Sequence, residues 1–176
     1  MKTSIALIGF MGTGKTAVGK SLAQKLHKEF IELDAVIEKK AGKTIPEIFL
    51  QDGEIRFREL EIEAIRDVAN KKNAVIACGG GIVLNTINID RLRKESVIIC
   101  LTASPSVILK RTVSDKGGRP LLNVANRLQE IKKLLDFRRA FYTRAADITI
   151  NTSRLNIDGV TDKILEILKR YESNHR

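Results

Sequence analysis

The run Gly9–Thr16, GFMGTGKT, follows a short apolar segment, SIALI. It fits the pattern G-x-x-x-x-G-K-[ST] without a mismatch. Glycine weakens the interior of a helix or strand, so this run is not scaffold. Gly9, Gly12 and Gly14 let backbone N–H groups turn inward around phosphate oxygens, and a helix starting beside them adds its dipole and free donors. Lys15 reaches the β- and γ-phosphates, and the Thr16 hydroxyl can ligate Mg²⁺. A strand before and a helix after the run complete the context. The pattern therefore predicts a nucleoside triphosphate held over Gly12, Thr13, Gly14, Lys15, Thr16 and Ala17.

That constraint propagates along the chain. Apolar runs at Ser4–Ile8, Phe30–Leu33, Ala74–Ala77, Val97–Leu101 and Ile148–Ile150 read as strands, several of them without alternation. Continuous apolar strands suit a parallel sheet covered on both faces. Helical patterns fill most gaps: Lys15–Lys28, Asp34–Lys40, Gly53–Asn70, Asn88–Lys94, Pro105–Val113, Val124–Thr143 and Ile157–Tyr171. Strand and helix in alternation predict right-handed crossover units and an α/β fold. A chain of 176 residues without a low-complexity linker predicts one domain over 1–176. The segment SDKGGRPLLN, residues 114–123, suits neither helix nor strand and reads as a surface loop or a mobile lid.

Composition narrows the class. No apolar run approaches the roughly 18 residues of a membrane span, and the N-terminus lacks the pattern of a secretory signal. A cytosolic location is the expectation, with no membrane partner. The formal net charge is +10. A basic surface can serve nucleic acid, but no basic run is interleaved with aromatics, and the coat equally suits polyanionic small substrates. No nucleic-acid partner is expected. Cys78 and Cys100 end apolar runs and read as small buried side chains. With only His27 and His175 besides, no zinc-ligand spacing exists. A GTPase base-reading motif of the Asn-Lys-x-Asp kind is missing, and the chain is short for a motor, which leaves mostly small phosphotransferases.

The acceptor half is less sharply written. Glu32 and Asp34 close the second apolar run, where ligands gather in parallel sheets. Two residues apart on an extended strand, they are expected to share a face. Either can hold Mg²⁺ through water or take a proton from a hydroxyl, and Asp34 can instead cap the next helix. Glu54, Arg58 and Glu61 fall on one helical face. That trio is either a surface ion pair or a guanidinium fixed for a carboxylate. Gly79, Gly80 and Gly81 allow close ligand approach or a tight turn. Arg119, in the proposed lid, can close over a transferring phosphate. The helix FRRAFYTRAAD carries Arg138 and Tyr142 four residues apart, and Asn151–Asn156 is a polar loop.

Taken in order, these pieces resemble shikimate kinases nearly end to end. GFMGTGKTAVGKSLA matches the family's phosphate loop and trailing helix, and FIELD its Asp-x-Asp motif. IPEIFLQDGEIRFRELE matches the segment ending in Phe-Arg-x-x-Glu, CGGG the triple glycine, RPLL the lid arginine, and RRAFY the Arg-x-Pro-Leu-Tyr element. The resemblance implies a three-layer P-loop fold with a five-stranded parallel sheet in order 2-3-1-4-5. It implies transfer of the γ-phosphoryl of ATP to the 3-hydroxyl of shikimate, with Mg²⁺ as cofactor and a monomer as the working unit. Asp34 then matches the likely base, and Arg58 and Arg138 a clamp on the substrate carboxylate. Gly79, Gly80 and Gly81 match the substrate loop, and Phe49 and Phe57 apolar walls, in a substrate region spanning 34–61. Arg119 matches the lid arginine, while Arg111 and Arg154 lie near positions flanking adenine. The alternatives are a kinase for gluconate or a nucleotide, or an inactive nucleotide-binding homologue. Three departures stand out: Glu32 for the first aspartate, Ala140 and Phe141 for Pro-Leu, and Asp115 and Lys116 in the lid.

Overall fold

The alternation of side chains along the strands organises the molecule. The computed structural model describes residues 2–113, 120–122 and 124–174. Arg119 and most of the proposed lid, including Asp115 and Lys116, lie outside the described residues. Five strands form one parallel sheet: β1 (Ser4–Ile8), β2 (Glu29–Glu32), β3 (Ala74–Ala77), β4 (Ser96–Thr102) and β5 (Ile148–Asn151). Their order is β2-β3-β1-β4-β5, and every pairing is parallel.

Among the described residues, eight α-helices surround it. They are α1 (Lys15–Leu26), α2 (Leu33–Ala41), α3 (Ile45–Gln51), α4 (Gly53–Val68), α5 (Thr86–Glu95), α6 (Pro105–Thr112), α7 (Arg127–Ala145) and α8 (Ile157–Asn174). Successive strand residues point to opposite faces. Ile5 and Leu7 of β1 therefore pack with Val18, Leu22 and Ala23 of α1 and Val160 and Ile164 of α8. Ala6 and Ile8 pack on the other side with α2, α4, α5 and α7. All five positions of β1 are buried, which is why the run carries no polar alternation. Each fully buried Leu or Ile side chain contributes roughly 1.5–3 kcal/mol, so the loop after β1 is anchored to a strand buried along its whole length.

The element boundaries differ from expectation where caps act. α1 stops at Leu26 because His27 takes the left-handed conformation at φ 53. α7 begins at Arg127, with the Asn126 side chain accepting from the Gln129 N–H. α3 is not among the expected helices, although its signal is local. Thr44 and Glu47 form a reciprocal capping box with Pro46 in the first turn.

Candidate active site

The loop from Gly9 to Gly14 leaves the carboxyl end of β1, beside the place where strand order reverses in an open parallel sheet. Gly9, Gly12 and Gly14 all have positive φ, at 140, 77 and 99. A side chain on Gly9 would run into the Leu101 carbonyl, so glycine there is dictated by the neighbouring strand. Gly14 caps α1 from the left-handed region. Lys15 folds back over this loop, its Nζ donating to the Gly9 carbonyl at 2.8 Å and the Phe10 carbonyl at 3.0 Å. Thr13 is buried, and its hydroxyl donates to the Phe10 carbonyl at 2.7 Å. Its side chain thus shapes the loop from inside.

Thr16, in the first turn of α1, donates its hydroxyl to Glu32 Oε1 at 2.6 Å. Glu32 ends β2, but Asp34 does not lie on that strand: it stands in the first turn of α2. The shared face expected from strand alternation is therefore replaced by a strand-to-helix turn. Both carboxylates still line the same cleft, which has a volume of about 490 Å³.

The opposite wall comes from α4 and α7. Arg58 donates to Glu54 Oε1 at 2.9 Å and to Glu61 Oε2 at 2.5 Å. Its side chain is 20% exposed and that of Glu61 only 1%, so the Arg58–Glu61 pair is not a surface ion pair, whereas Glu54 is 49% exposed. Burial pushes the Glu61 carboxyl up, against the pull of the Arg58 guanidinium, and the charge on Asp34 adds to the upward push. Phe49 and Phe57 stack with ring centroids 4.7 Å apart along the same wall.

Arg138 is 3% exposed, donates from Nη1 to the Gly80 carbonyl at 3.2 Å, and lies over the Phe10 ring at 5.7 Å. Its neighbour Arg139 is on the surface, 76% exposed and paired with Asp136. The cleft is thus lined by Arg138 and not by Arg139. Gly79, Gly80 and Gly81 pass between these groups. A Cβ on Gly79 would stand 3.0 Å from Glu61 Oε1 and 3.2 Å from Asp34 Oδ1, so both carboxylates converge on the bare backbone here. Tyr142 donates its hydroxyl to the Gly80 carbonyl at 2.5 Å.

Arg111 spans the nucleotide side. It donates to the Gly12 carbonyl at 3.2 Å and to the Thr152 carbonyl at 2.9 Å, joining the phosphate loop to the turn after β5. Ala17 lines the cleft, while Arg154 is exposed on that turn and does not line it. Two contributors escaped the sequence reading of the site. Glu61 was visible as a helical neighbour of Arg58, but its burial was not. Tyr142 was visible as a spacing, but its hold on Gly80 crosses 62 residues.

The arrangement places a phosphate-binding loop, the Lys15 ammonium, three carboxylates (Glu32, Asp34 and Glu61) and three guanidiniums (Arg58, Arg111 and Arg138) around one volume, which suits transfer of a phosphoryl group to an acceptor that itself carries an anion. A family model described as shikimate kinase matches residues 11–169. The chain is 46% identical over 168 residues to the shikimate kinase of Pelotomaculum thermopropionicum, covering 96% of each. It is 48% identical over 169 residues to that of Thermodesulfovibrio yellowstonii, covering 96% of this chain and 95% of the relative. Among solved structures, shikimate kinase from Acinetobacter baumannii in complex with shikimate superposes with a TM-score of 0.93 at 36% identity, covering 97% of this chain and 95% of that one.

Proposed function

The chain belongs to the shikimate kinase family, an ATP-dependent kinase acting on shikimate, and we propose how its residues divide that work. ATP lies along the loop at Gly12, Thr13, Gly14, Lys15, Thr16 and Ala17, with Arg111 and Arg154 on the adenine side. Shikimate lies against Phe49, Phe57 and the backbone of Gly79, Gly80 and Gly81, its carboxylate held by Arg58 and Arg138. The supporting observation is that Arg58 and Arg138, from different helices, line one cleft with Lys15 and Asp34.

In the reaction, the 3-hydroxyl oxygen of shikimate forms a bond to the γ-phosphorus as the bond to the bridging oxygen breaks. ADP leaves, and the hydroxyl proton passes to Asp34. Lys15 offsets negative charge at the phosphates, and Arg119 is assigned the same task from the lid. The buried Glu61 aims Arg58, and the guanidiniums fix the acceptor so that attack is effectively intramolecular.

Mg²⁺ fits the donor set. Thr16 and Glu32 bring a hydroxyl and a carboxylate together at 2.6 Å, the oxygen-only environment this ion takes alongside phosphates and water. Thr16 would ligate it, and Glu32 would act through water. The chemistry it would supply when bound is neutralisation of negative charge on the phosphates. A single-domain cytosolic monomer, with a substrate region at 34–61, a lid at 114–123 and no nucleic-acid partner, completes the proposal. Among the described residues no helix is long and apolar enough to cross a membrane.

Coupled ADP release with Mg-ATP, run with and without shikimate, tests this reading. Turnover is expected only with shikimate. Preference for gluconate or a nucleoside monophosphate, or tight ATP binding without turnover, would overturn it.

A further inference from the structure

A second cavity, of about 440 Å³, shares no lining residue with the first. It arises because α7 packs on α6 and β4 while leaving the β4–β5 edge uncovered. Cys100 and Thr149 are paired in register and point the same way, as does Thr102 two residues further along β4. These three form the floor. Ala103 and Pro105 close one end.

The roof is one stripe of α7. Lys132, Leu135, Asp136, Arg139, Tyr142 and Thr143 recur at helical spacing and all line the cavity. Leu135 and Tyr142 form the inner part of this stripe, while Lys132, Asp136, Arg139 and Thr143 are exposed and form the rim of the cavity. Here Leu135 and the Tyr142 ring are apolar, and the rest is charged or hydroxylic. Two cations face one anion, and Asp136 is already paired with Arg139 at 2.6 Å. The volume lies within the ~300–1,000 Å³ of small-molecule sites.

Tyr142 belongs to both cavities' surroundings. Its ring lines the second cavity, and its hydroxyl holds the Gly80 carbonyl of the first. We propose that this second cavity binds a small organic monoanion, an apolar ring or chain bearing one carboxylate, and that its occupancy acts on shikimate binding through Tyr142. The apolar body rests on Leu135, Pro105 and the tyrosine ring, and the carboxylate meets Lys132 and Arg139. A single charge is favoured over a phosphate dianion because Asp136 cancels one of the two cations. The binding limb stands on its own. The coupling limb rests on Gly80 contacting shikimate.

Benzoate is the probe and uncharged benzamide its control. Amide chemical shifts are followed in the full chain, with and without saturating ADP and shikimate. Benzoate should give saturable shifts at Thr102, Tyr142, Thr143 and Thr149 in both conditions, and benzamide should bind more weakly. Lys132→Ala should weaken benzoate roughly threefold to fivefold, the worth of a partly exposed ion pair, and Thr149→Trp should fill the cavity and abolish binding. In steady-state kinetics benzoate should shift the shikimate KM and leave the ATP KM alone, and Tyr142→Phe should bind benzoate but lose that shift. Absence of saturable shifts, shifts centred on Gly79–Gly81 that ADP and shikimate erase, or equal binding of benzamide would overturn the site. A KM shift that survives Tyr142→Phe would overturn the coupling.

Discussion

A Cβ atom on Gly81 would stand 2.6 Å from the guanidinium carbon of Arg58 and 2.7 Å from its Nη2. The backbone at Gly81 has φ −99, which any residue adopts. The requirement for glycine here is therefore steric and comes from one side chain across the cleft. Gly81→Ala should displace Arg58 without straining the loop. The shikimate KM should rise about tenfold, the loss of one charge-assisted contact, with the ATP KM within about twofold and the melting temperature little changed. Equal rises in both KM values would mean that the whole cleft is distorted.

Two adjacent arginines make opposite predictions. Arg138 is buried against Phe10 and Gly80, while Arg139 is on the surface with Asp136. Arg138→Ala should lower kcat/KM for shikimate by roughly tenfold to a hundredfold, as for a lost charged hydrogen-bonding group. Arg139→Ala should stay within about twofold. The reverse order in steady-state kinetics would transfer the carboxylate clamp to Arg139.

The buried carboxyl of Glu61 links the site to stability. Burial raises its pKa above the ordinary 4.5, so the folded chain holds this proton more tightly than the unfolded chain does. Its contribution to stability is fully present below about pH 4.5 and is lost as pH rises through the raised native value. Glu61→Gln cannot titrate. In denaturant unfolding from pH 4 to 8, the wild type should lose stability relative to Glu61→Gln as pH rises. The same variant should raise the shikimate KM, because Arg58 loses its charged partner. A stability difference independent of pH would contradict the first point.

Both thiols should be inert in the native chain. Burial pushes Cys78 up to about 12 and Cys100 up to about 11, and only the thiolate reacts. Iodoacetamide at pH 8, followed by intact mass, should leave the folded protein unlabelled over a time that labels both cysteines in denaturant. Both thiols line cavities, Cys78 the first and Cys100 the second, so labelling of the native protein would show a thiolate forming there despite burial.

Much of this molecule was readable before any coordinates. The strands at Ser4–Ile8 and Ala74–Ala77 coincide with their apolar runs, because burial on both faces leaves no polar position to blur the ends. The glycines of GFMGTGKT announce a cradle because positive φ and close approach are properties of single residues. The capping box at Thr44 is equally local, but α3 spans only seven residues, too few for a helical period to stand out in the sequence. Asp34 is the counterexample: strand spacing put it beside Glu32 on an extended segment, and the backbone had already turned into α2.

Local chemistry, written in spacing and backbone permission, thus settled the layered architecture and the glycine-rich turn that leaves β1. Spacing left open whether Arg58 is surface decoration or a fixed guanidinium, and which of Arg138 and Arg139 turns inward. It could not show that Glu61 and Asp34 converge on Gly79, or that Tyr142 ties α7 to Gly80. Each of those facts is a contact between segments distant in the chain, and burial and distance between such segments exist only once the sheet and its covering helices have packed.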